Sequence, residues 1–438
     1  MQPVEGKEIE NALLVGIVKS SDERLEVEEH LDELELLADT AGARVVDKII
    51  QQKERIDPSL FLGRGKAEQI AESIPLKEID MVIFDEDLSP AQARNLEKLF
   101  QVKVLDRTIL ILDIFAKRAK TREARTQVEL AQLKYLLPRL TRQWTHLSRQ
   151  VGGIGTRGPG ETQLEVDRRL VRLRIRALSN QLQKIKSRRK IQRSHRSDIF
   201  KAALVGYTNV GKSTLLNALA DSSVFVENRL FATLDPTIKA VELSNKQRML
   251  LIDTVGFIRK LPHHLVASFR STIEEAAEAD VLLHVVDISH RHFDVQIGIV
   301  SNVLKELGIA KKPILHVFNK VDLLKEPAII SRAKEQYPGA VFVSAARGMF
   351  LDELKTKLIE QCEKDMLETD IVIEQKDTRL ISRIYALAEV LEITYQDSEV
   401  ILKIRAERAH YDQIRHIIRV AAPENEGIKS AQNADSHC

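Results

Sequence analysis

The stretch Gly206-Tyr207-Thr208-Asn209-Val210-Gly211-Lys212-Ser213-Thr214 has the residue types and spacing of a phosphate-binding loop. Glycines let the backbone turn its N–H groups inward around a diphosphate, and the helix that follows adds the favourable end of its dipole. Lys212 is placed to reach β- and γ-phosphates, and the Ser213 hydroxyl to hold Mg²⁺. The loop follows an apolar run, Ala202 to Val205, and opens into Leu215-Leu216-Asn217-Ala218-Leu219. It therefore reads strand, loop, helix. A plain glycine turn would look the same in isolation, so the elements downstream decide the matter.

Those elements come in the order a GTP-hydrolysing domain requires. Phe231-Ala232-Thr233-Leu234-Asp235-Pro236-Thr237 lies where a switch loop presents a threonine to Mg²⁺ and the γ-phosphate; Thr233 and Thr237 compete, and Thr233 is favoured. Asp253-Thr254-Val255-Gly256 ends an apolar strand, with Asp253 expected to hold Mg²⁺ through water and the Gly256 N–H to approach the γ-phosphate unobstructed. Asn319-Lys320-Val321-Asp322 ends another. A carboxylate at Asp322 accepts two hydrogen bonds from the donor edge of guanine, a pair adenine lacks. Ser344-Ala345-Ala346 follows the next strand, where a backbone N–H can meet the guanine oxygen. The expected catalytic set is Lys212, Thr233 and Gly256, and the expected Mg²⁺ ligands are Ser213, Thr233 and Asp253.

One position departs from the small-GTPase pattern. Phe257 stands where many such proteins place a water-orienting glutamine, and a phenyl ring neither orients water nor accepts a proton. Hydrolysis is therefore expected to be slow unless a macromolecular partner, a cation or another side chain helps. Asn209 suggests K⁺ near the phosphates as one source of charge.

These residues must be positioned by a chain of 438 residues, too long for one ordinary core. It is 44% hydrophobic and 30% charged, with a net charge of +2, which fits globular domains and leaves any basic surface local. Its two cysteines, Cys362 and Cys438, make a disulfide framework or cysteine zinc site a poor expectation. With no signal pattern or membrane-length apolar run, a cytoplasmic chain is expected, at most peripherally membrane-associated and monomeric.

The pattern predicts a multidomain α/β protein. Residues 1–110 alternate strand-like and helix-like runs, as in a small parallel α/β domain. Residues 111–198 read as a long helical hairpin: helix from Thr108 to Gln150 with only Pro138 to break it, a glycine-rich tip at 152–160, then helix from Glu161 to Ser194. Residues 199–366 carry the nucleotide elements, and 367–424 a small α+β domain with strand–helix–strand–strand–helix order and a turn at Gln396-Asp397-Ser398. A polar tail, 425–438, is expected to be disordered.

From Arg139 to Arg196 the hairpin concentrates positive charge, including Arg149, Arg157, Arg168, Arg169, Arg172, Arg176 and Lys184, against only Glu161, Glu165 and Asp167. A solvated face would mix signs, so this reads as a footprint for phosphate backbones, with Arg149, Arg157, Arg168, Arg169 and Arg172 as expected RNA contacts. The histidines His263-His264 and His290-Arg291-His292 read as exposed loop residues without metal-ligand spacing.

Beyond the shared nucleotide elements, Gly63-Arg64-Gly65-Lys66, Asp85-Glu86-Asp87-Leu88-Ser89-Pro90-Ala91-Gln92, Gln127-Val128-Glu129-Leu130-Ala131-Gln132-Leu133 and Gly158-Pro159-Gly160-Glu161-Thr162-Gln163-Leu164-Glu165 stand out. With them the sequence resembles the HflX family of bacterial GTPases, from about residue 12 to 366; residues 370–422 match by pattern only. The resemblance implies a protein that binds the large ribosomal subunit and ribosomal RNA, hydrolyses GTP to GDP there, and separates or rescues stalled ribosomes. It also makes Phe257 a family feature and attaches a suggested ATPase activity to the first domain, for which Gly63-Arg64-Gly65 is a meagre phosphate loop. The competing readings are an RNA-binding ribosome-assembly or remodelling factor with secondary GTP turnover, and a signalling GTPase without RNA.

Overall fold

A computed structural model of the chain describes residues 9–20, 24–140, 163–193, 199–220, 230–243, 248–260, 275–363, 366–375, 377–396 and 399–421. The glycine tip, Trp144, Arg149, Arg157, His263-His264, the 397–398 turn and the polar tail lie outside the described residues. The chain divides into two compact units, 1–242 with 248–351 and 243–247 with 352–438.

The first unit opens with the expected parallel sheet. Strands β1 (Glu10–Val18), β2 (Ala43–Gln52), β3 (Met81–Phe84) and β4 (Lys103–Asp106) pair in the order β2-β1-β3-β4, every pairing parallel. A strand covered on both faces must be apolar throughout, and β1 is continuously buried from Ala12 to Val18. Helices α1 (Arg24–Ala41), α2 (Arg64–Leu76), α3 (Pro90–Phe100) and α4 (Arg107–Arg118) connect or flank the strands. Leu13, Val15, Leu62, Val82, Phe84 and Leu96 form one continuous core. Each such burial contributes about 1.5–3 kcal/mol. Ser89 and Gln92 close a capping box at the start of α3, and Asp106 caps α4 by accepting from the Ile109 amide. Gly63-Arg64-Gly65 is the start of α2, with Gly63 as its N-cap.

The expected single helix over Thr108–Gln150 does not form. It breaks at Ala119-Lys120-Thr121, where the Thr121 hydroxyl accepts from the Ala124 amide and starts α5 (Arg122–Leu136). The cause is tertiary: the Lys120 and Thr121 amides both donate to Asp235, which local sequence does not announce. Pro138 then turns the chain through a 3₁₀ segment, Leu137–Arg139. The second basic helix is present as α6 (Gln163–Arg193) and packs against α5.

A six-stranded sheet follows, in the order β10-β9-β8-β5-β7-β6. Its strands are β5 (Lys201–Gly206), β6 (Thr237–Glu242), β7 (Arg248–Asp253), β8 (Val281–Asp287), β9 (Ile314–Asn319) and β10 (Val341–Phe342). Only β6, absent from the expected strands, runs antiparallel. Helices α7 (Lys212–Ala220), α8 (Phe293–Glu306) and α9 (Ala328–Gln336) accompany it. Because the other strands are parallel, their carboxyl ends share one edge, and Gly206, Asp253, Asp287, Asn319 and Ser344 leave the sheet on that edge. Ligands of open α/β sheets bind there.

The second unit contains α10 (Leu351–Glu363), β11 (Met366–Glu374), α11 (Thr378–Leu387), β12 (Glu389–Gln396), β13 (Glu399–Glu407) and α12 (Arg408–Ala421). The antiparallel sheet β11-β13-β12 carries the expected element order, with its first strand starting at Met366. Ile384, Leu402, Ile404 and Ile414 fill its core. Among the described residues, no helix is long and apolar enough to cross a membrane.

Candidate nucleotide site

The turn from β5 into α7 is a loop whose backbone only glycine tolerates at one point. Gly211 has φ +92°, and a Cβ there would lie 2.3 Å from Asn319 Nδ2. Asn319 itself knits two loops together. Its Nδ2 donates to Val210 O at 2.9 Å, and its Oδ1 accepts from the Ala345 amide at 2.9 Å. The neighbouring Lys320 spans Asn209 O at 2.9 Å and Asp287 at 2.6 Å. The Asn319–Asp322 turn therefore braces the phosphate loop as well as presenting Asp322, whose nearest cation is Arg347 at 4.0 Å.

Lys212 is buried, and its ammonium donates to Gly206 O at 3.2 Å and Tyr207 O at 2.7 Å. Burial lowers its pKa to about 8, opposed by the Asp253 carboxylate. The phosphate loop, Phe231 to Thr233, Thr254 and Gly256 surround one cleft. At its floor, the Ser213 hydroxyl donates to Asp253 Oδ2 at 2.6 Å, Thr233 Oγ1 donates to the same oxygen at 3.0 Å, and the two hydroxyls are 2.8 Å apart. Thr237, the competitor, pairs opposite Asp253 as the first residue of β6. Burial raises the Asp253 pKa, and its Oδ1 has no hydrogen-bond partner. Hard oxygens with one buried, unsatisfied carboxylate oxygen suit Mg²⁺ and no softer metal. Among the described residues, no cluster of three or more His, Cys, Asp or Glu could hold a metal.

Gly256 presses against the loop. A Cβ there would lie 2.8 Å from Thr208 Cα and 3.0 Å from Lys212 Nζ. Thr254 is buried and donates to Leu204 O at 2.6 Å, holding the strand end in place. Phe231 and Leu234 are buried, and the Phe231 ring meets Phe115 edge-on at 4.7 Å. Ser344 is fully buried; its hydroxyl accepts from the Arg347 amide at 3.2 Å, leaving Ala346 exposed beyond the Asn319 contact. The remaining loop residues, Tyr207 to Thr214 and Val255, Val321 and Ala345, sit around this edge as their strand connections require.

Sequence reasoning missed how the first sheet engages this loop. Tyr207 donates to Glu33 of α1 and accepts from the Arg259 amide at 2.9 Å. Arg259 pairs with Glu29 at 3.4 Å, and Lys260 with Asp85 and Glu86 at 2.5 Å each. Arg107 links Asp85, at 2.8 Å, to Glu33. Asp235 accepts from Lys120 and Thr121 at 2.9 and 3.1 Å. His290-Arg291-His292 is not an idle loop either: His292 meets Glu29 at 2.7 Å. These partners lie far apart in sequence, and no local pattern pairs them.

The expected cationic face of α6 is partly absorbed by the fold. Arg168 donates to Leu140 O at 3.0 Å and Arg174 pairs twice with Glu129, at 2.7 and 3.1 Å. Arg172, Arg176 and Lys184 are exposed, as are the neighbouring Leu170 and Leu173.

Residues 28–116 match the family model for the N-terminal region of GTP-binding GTPases, 118–196 its middle region, and 201–320 the model described as 50S ribosome-binding GTPase. GTPase HflX of Flavobacterium psychrophilum is 48% identical over 80% of this chain and 90% of its own length. GTPase HflX of Lacrimispora saccharolytica is 46% identical over 91% and 94%. A GTP-binding protein of the archaeon Sulfolobus solfataricus, solved in complex with GDP, is 26% identical over 81% of this chain and 98% of its own, with a TM-score of 0.43. The loop, the converging oxygens and the guanine turn thus stand in a chain that aligns nearly end to end with such enzymes, and the protein is a GTP-hydrolysing member of the HflX family.

Proposed function

We propose that the protein acts on ribosomes: it binds the large subunit through α6 and the basic segment before it, hydrolyses GTP there, and splits or rescues stalled particles. The observation that carries this reading is the exposed set Arg172, Arg176 and Lys184 on α6, the described helix that precedes the nucleotide sheet in the chain. Such a set neutralises backbone phosphates, and a matched family model described as ribosome-binding supports the same partner. In this reading the cytoplasm is the working compartment.

Lys212 and Gly256 contact the phosphates, and Asp322 with the Ala345–Ala346 backbone reads guanine. Ser213, Thr233 and Asp253 would hold Mg²⁺, which would supply charge neutralisation at the phosphates. Asn209 offers a K⁺ ligand beside them, and unchanged rates on replacing K⁺ by Na⁺ would remove that assignment.

Co-sedimentation with purified large subunits across a salt series tests the ribosome reading. Binding is expected to favour a non-hydrolysable GTP analogue, and charge removal at Arg172, Arg176 and Lys184 to reduce the salt slope by about one for each phosphate no longer neutralised. Equal binding with GDP and with the analogue favours the assembly-factor alternative, in which GTP turnover is secondary. An unchanged slope in the triple variant rejects α6 as the contact.

A further inference from the structure

Hydrolysis of GTP requires positive charge on the γ-phosphate as its bond to GDP breaks. Phe257 supplies none. It is buried, its amide donates to Gly206 O at 3.0 Å and its carbonyl accepts from Thr208 N at 2.7 Å, so this part of the switch is stitched to the phosphate loop. Two cations follow at once, Arg259 and Lys260, and they are held very differently. Lys260 meets two carboxylates at 2.5 Å each, one of them the buried Asp85. Among the described residues Arg259 has a single carboxylate contact, Nη1 to Glu29 at 3.4 Å, while the Tyr207 hydroxyl anchors its backbone.

The Arg259 side chain lines a cavity of about 390 Å³, which shares Thr208 and Asn209 with the nucleotide cleft. Thr208 and Gln296 are among the residues that line it, and their buried Thr208 Oγ1 and Gln296 Oε1 have no hydrogen-bond partner. Thr208 and Gln296 are 5% and 8% exposed, so neither oxygen is satisfied by being wet. Rotation of either side chain towards that space would offer its unpaired oxygen to a guanidinium, which brings five N–H donors and no acceptor. The path leads to Thr208, against which Gly256 packs.

We propose that Arg259 is a catalytic residue, which leaves Glu29 and passes through this cavity to the γ-phosphate when the switch closes on GTP. In the step it serves, the water oxygen bonds to the γ-phosphorus while the bond from that phosphorus to the bridging oxygen breaks. The electron pair of that bond stays on GDP, and the water protons are carried by the products. Arg259 remains protonated throughout and balances the charge on the transferred phosphoryl group.

Single-turnover hydrolysis by the full chain, with and without large subunits, tests this. Arg259→Ala is expected to slow hydrolysis at least a hundredfold in both conditions and to abolish binding of GDP with aluminium fluoride, a mimic of the transferring phosphate. Its affinity for GDP and for a GTP analogue is expected to stay within about threefold, which also reports that the variant is folded. Arg259→Lys is expected to recover part of the rate, because it keeps the charge and loses the fork. Glu29→Gln, which frees Arg259, is expected to raise the subunit-free rate several-fold. Arg259→Ala turning over within threefold of the parent, or still trapping aluminium fluoride, overturns the assignment. A parent enzyme unaffected by subunits would count against the ribosome reading alone, since the subunit-free comparison still tests Arg259.

Discussion

The Tyr207 hydroxyl, inside the phosphate loop, donates to Glu33 of α1 and accepts from the backbone of Arg259 at 2.9 Å. One phenol thereby joins the first sheet's leading helix, the phosphate loop and the segment after Gly256. Burial and the neighbouring Glu33 carboxylate push its pKa up, so it stays a donor at physiological pH.

Removing that hydroxyl is a test of how much the junction matters. Tyr207→Phe leaves a partly buried carboxylate and an amide without this partner and is expected to cost about 1–3 kcal/mol. Its urea midpoint should fall accordingly, while GDP affinity holds because the loop backbone is untouched. An unchanged midpoint would show that Glu33 and the Arg259 amide find other partners.

Gly256→Ala addresses the close approach between switch and loop. Its Cβ would lie 2.8 Å from both Thr208 Cα and Thr208 Cγ2, and a backbone atom cannot swing aside. Hydrolysis is expected to drop more than about tenfold, equivalent to roughly 1.4 kcal/mol of lost transition-state positioning. GDP binding should change little, since GDP has no γ-phosphate to meet this residue. Rapid mixing with GTP, beside a GDP titration, separates the two.

For Asp322, the expected outcome is a change of base. Asp322→Asn replaces two acceptors with one acceptor and a donor, so GTP should bind at least about a hundredfold more weakly. Xanthosine triphosphate, whose base carries an oxygen in place of the guanine amino group, should gain affinity. Competition between the two nucleotides reads this out, and GTP retained as the preferred ligand would mean that another group reads the base.

His284, buried at the centre of β8, makes a prediction about pH. Burial, then His316 and Lys212, lower its pKa from 6.5 to about 3. Below pH 6.5 the unfolded chain takes up a proton that the fold refuses. Stability from this group is therefore complete above pH 6.5 and declines as pH falls towards 3, by about 2 kcal/mol at pH 5. His284→Leu should flatten the dependence of the urea midpoint between pH 7 and 5; a slope equal to the parent's would assign it to other groups.

Much of the nucleotide site was legible because its chemistry is local. Gly206 to Thr214, Asp253 to Gly256 and Asn319 to Asp322 each follow an apolar run, and parallel strands bring their ends to one edge whatever else the chain does. The first sheet and the order of the last five elements were legible for the same reason, since burial on one or both faces writes its period into the sequence. Thr233 was favoured over Thr237 from the sequence, but the reason for that choice lies in the fold. It depends on which hydroxyl the folded switch brings to Ser213 and Asp253.

By itself the sequence determined that a guanine nucleotide would be held over a sheet edge, and that Phe257 would be no help in cleaving it. Tertiary structure alone decided where the charges around that site go. It breaks the helix at Thr121 to reach Asp235, ties Arg168 and Arg174 into the fold, and sets Glu29, Glu33 and Asp85 against Arg259, Tyr207 and Lys260. A charged side chain carries no periodic signal of its partner. Its pairing is set by the distance between atoms after folding, and for Arg259 and Glu29 those atoms lie 230 residues apart in the chain.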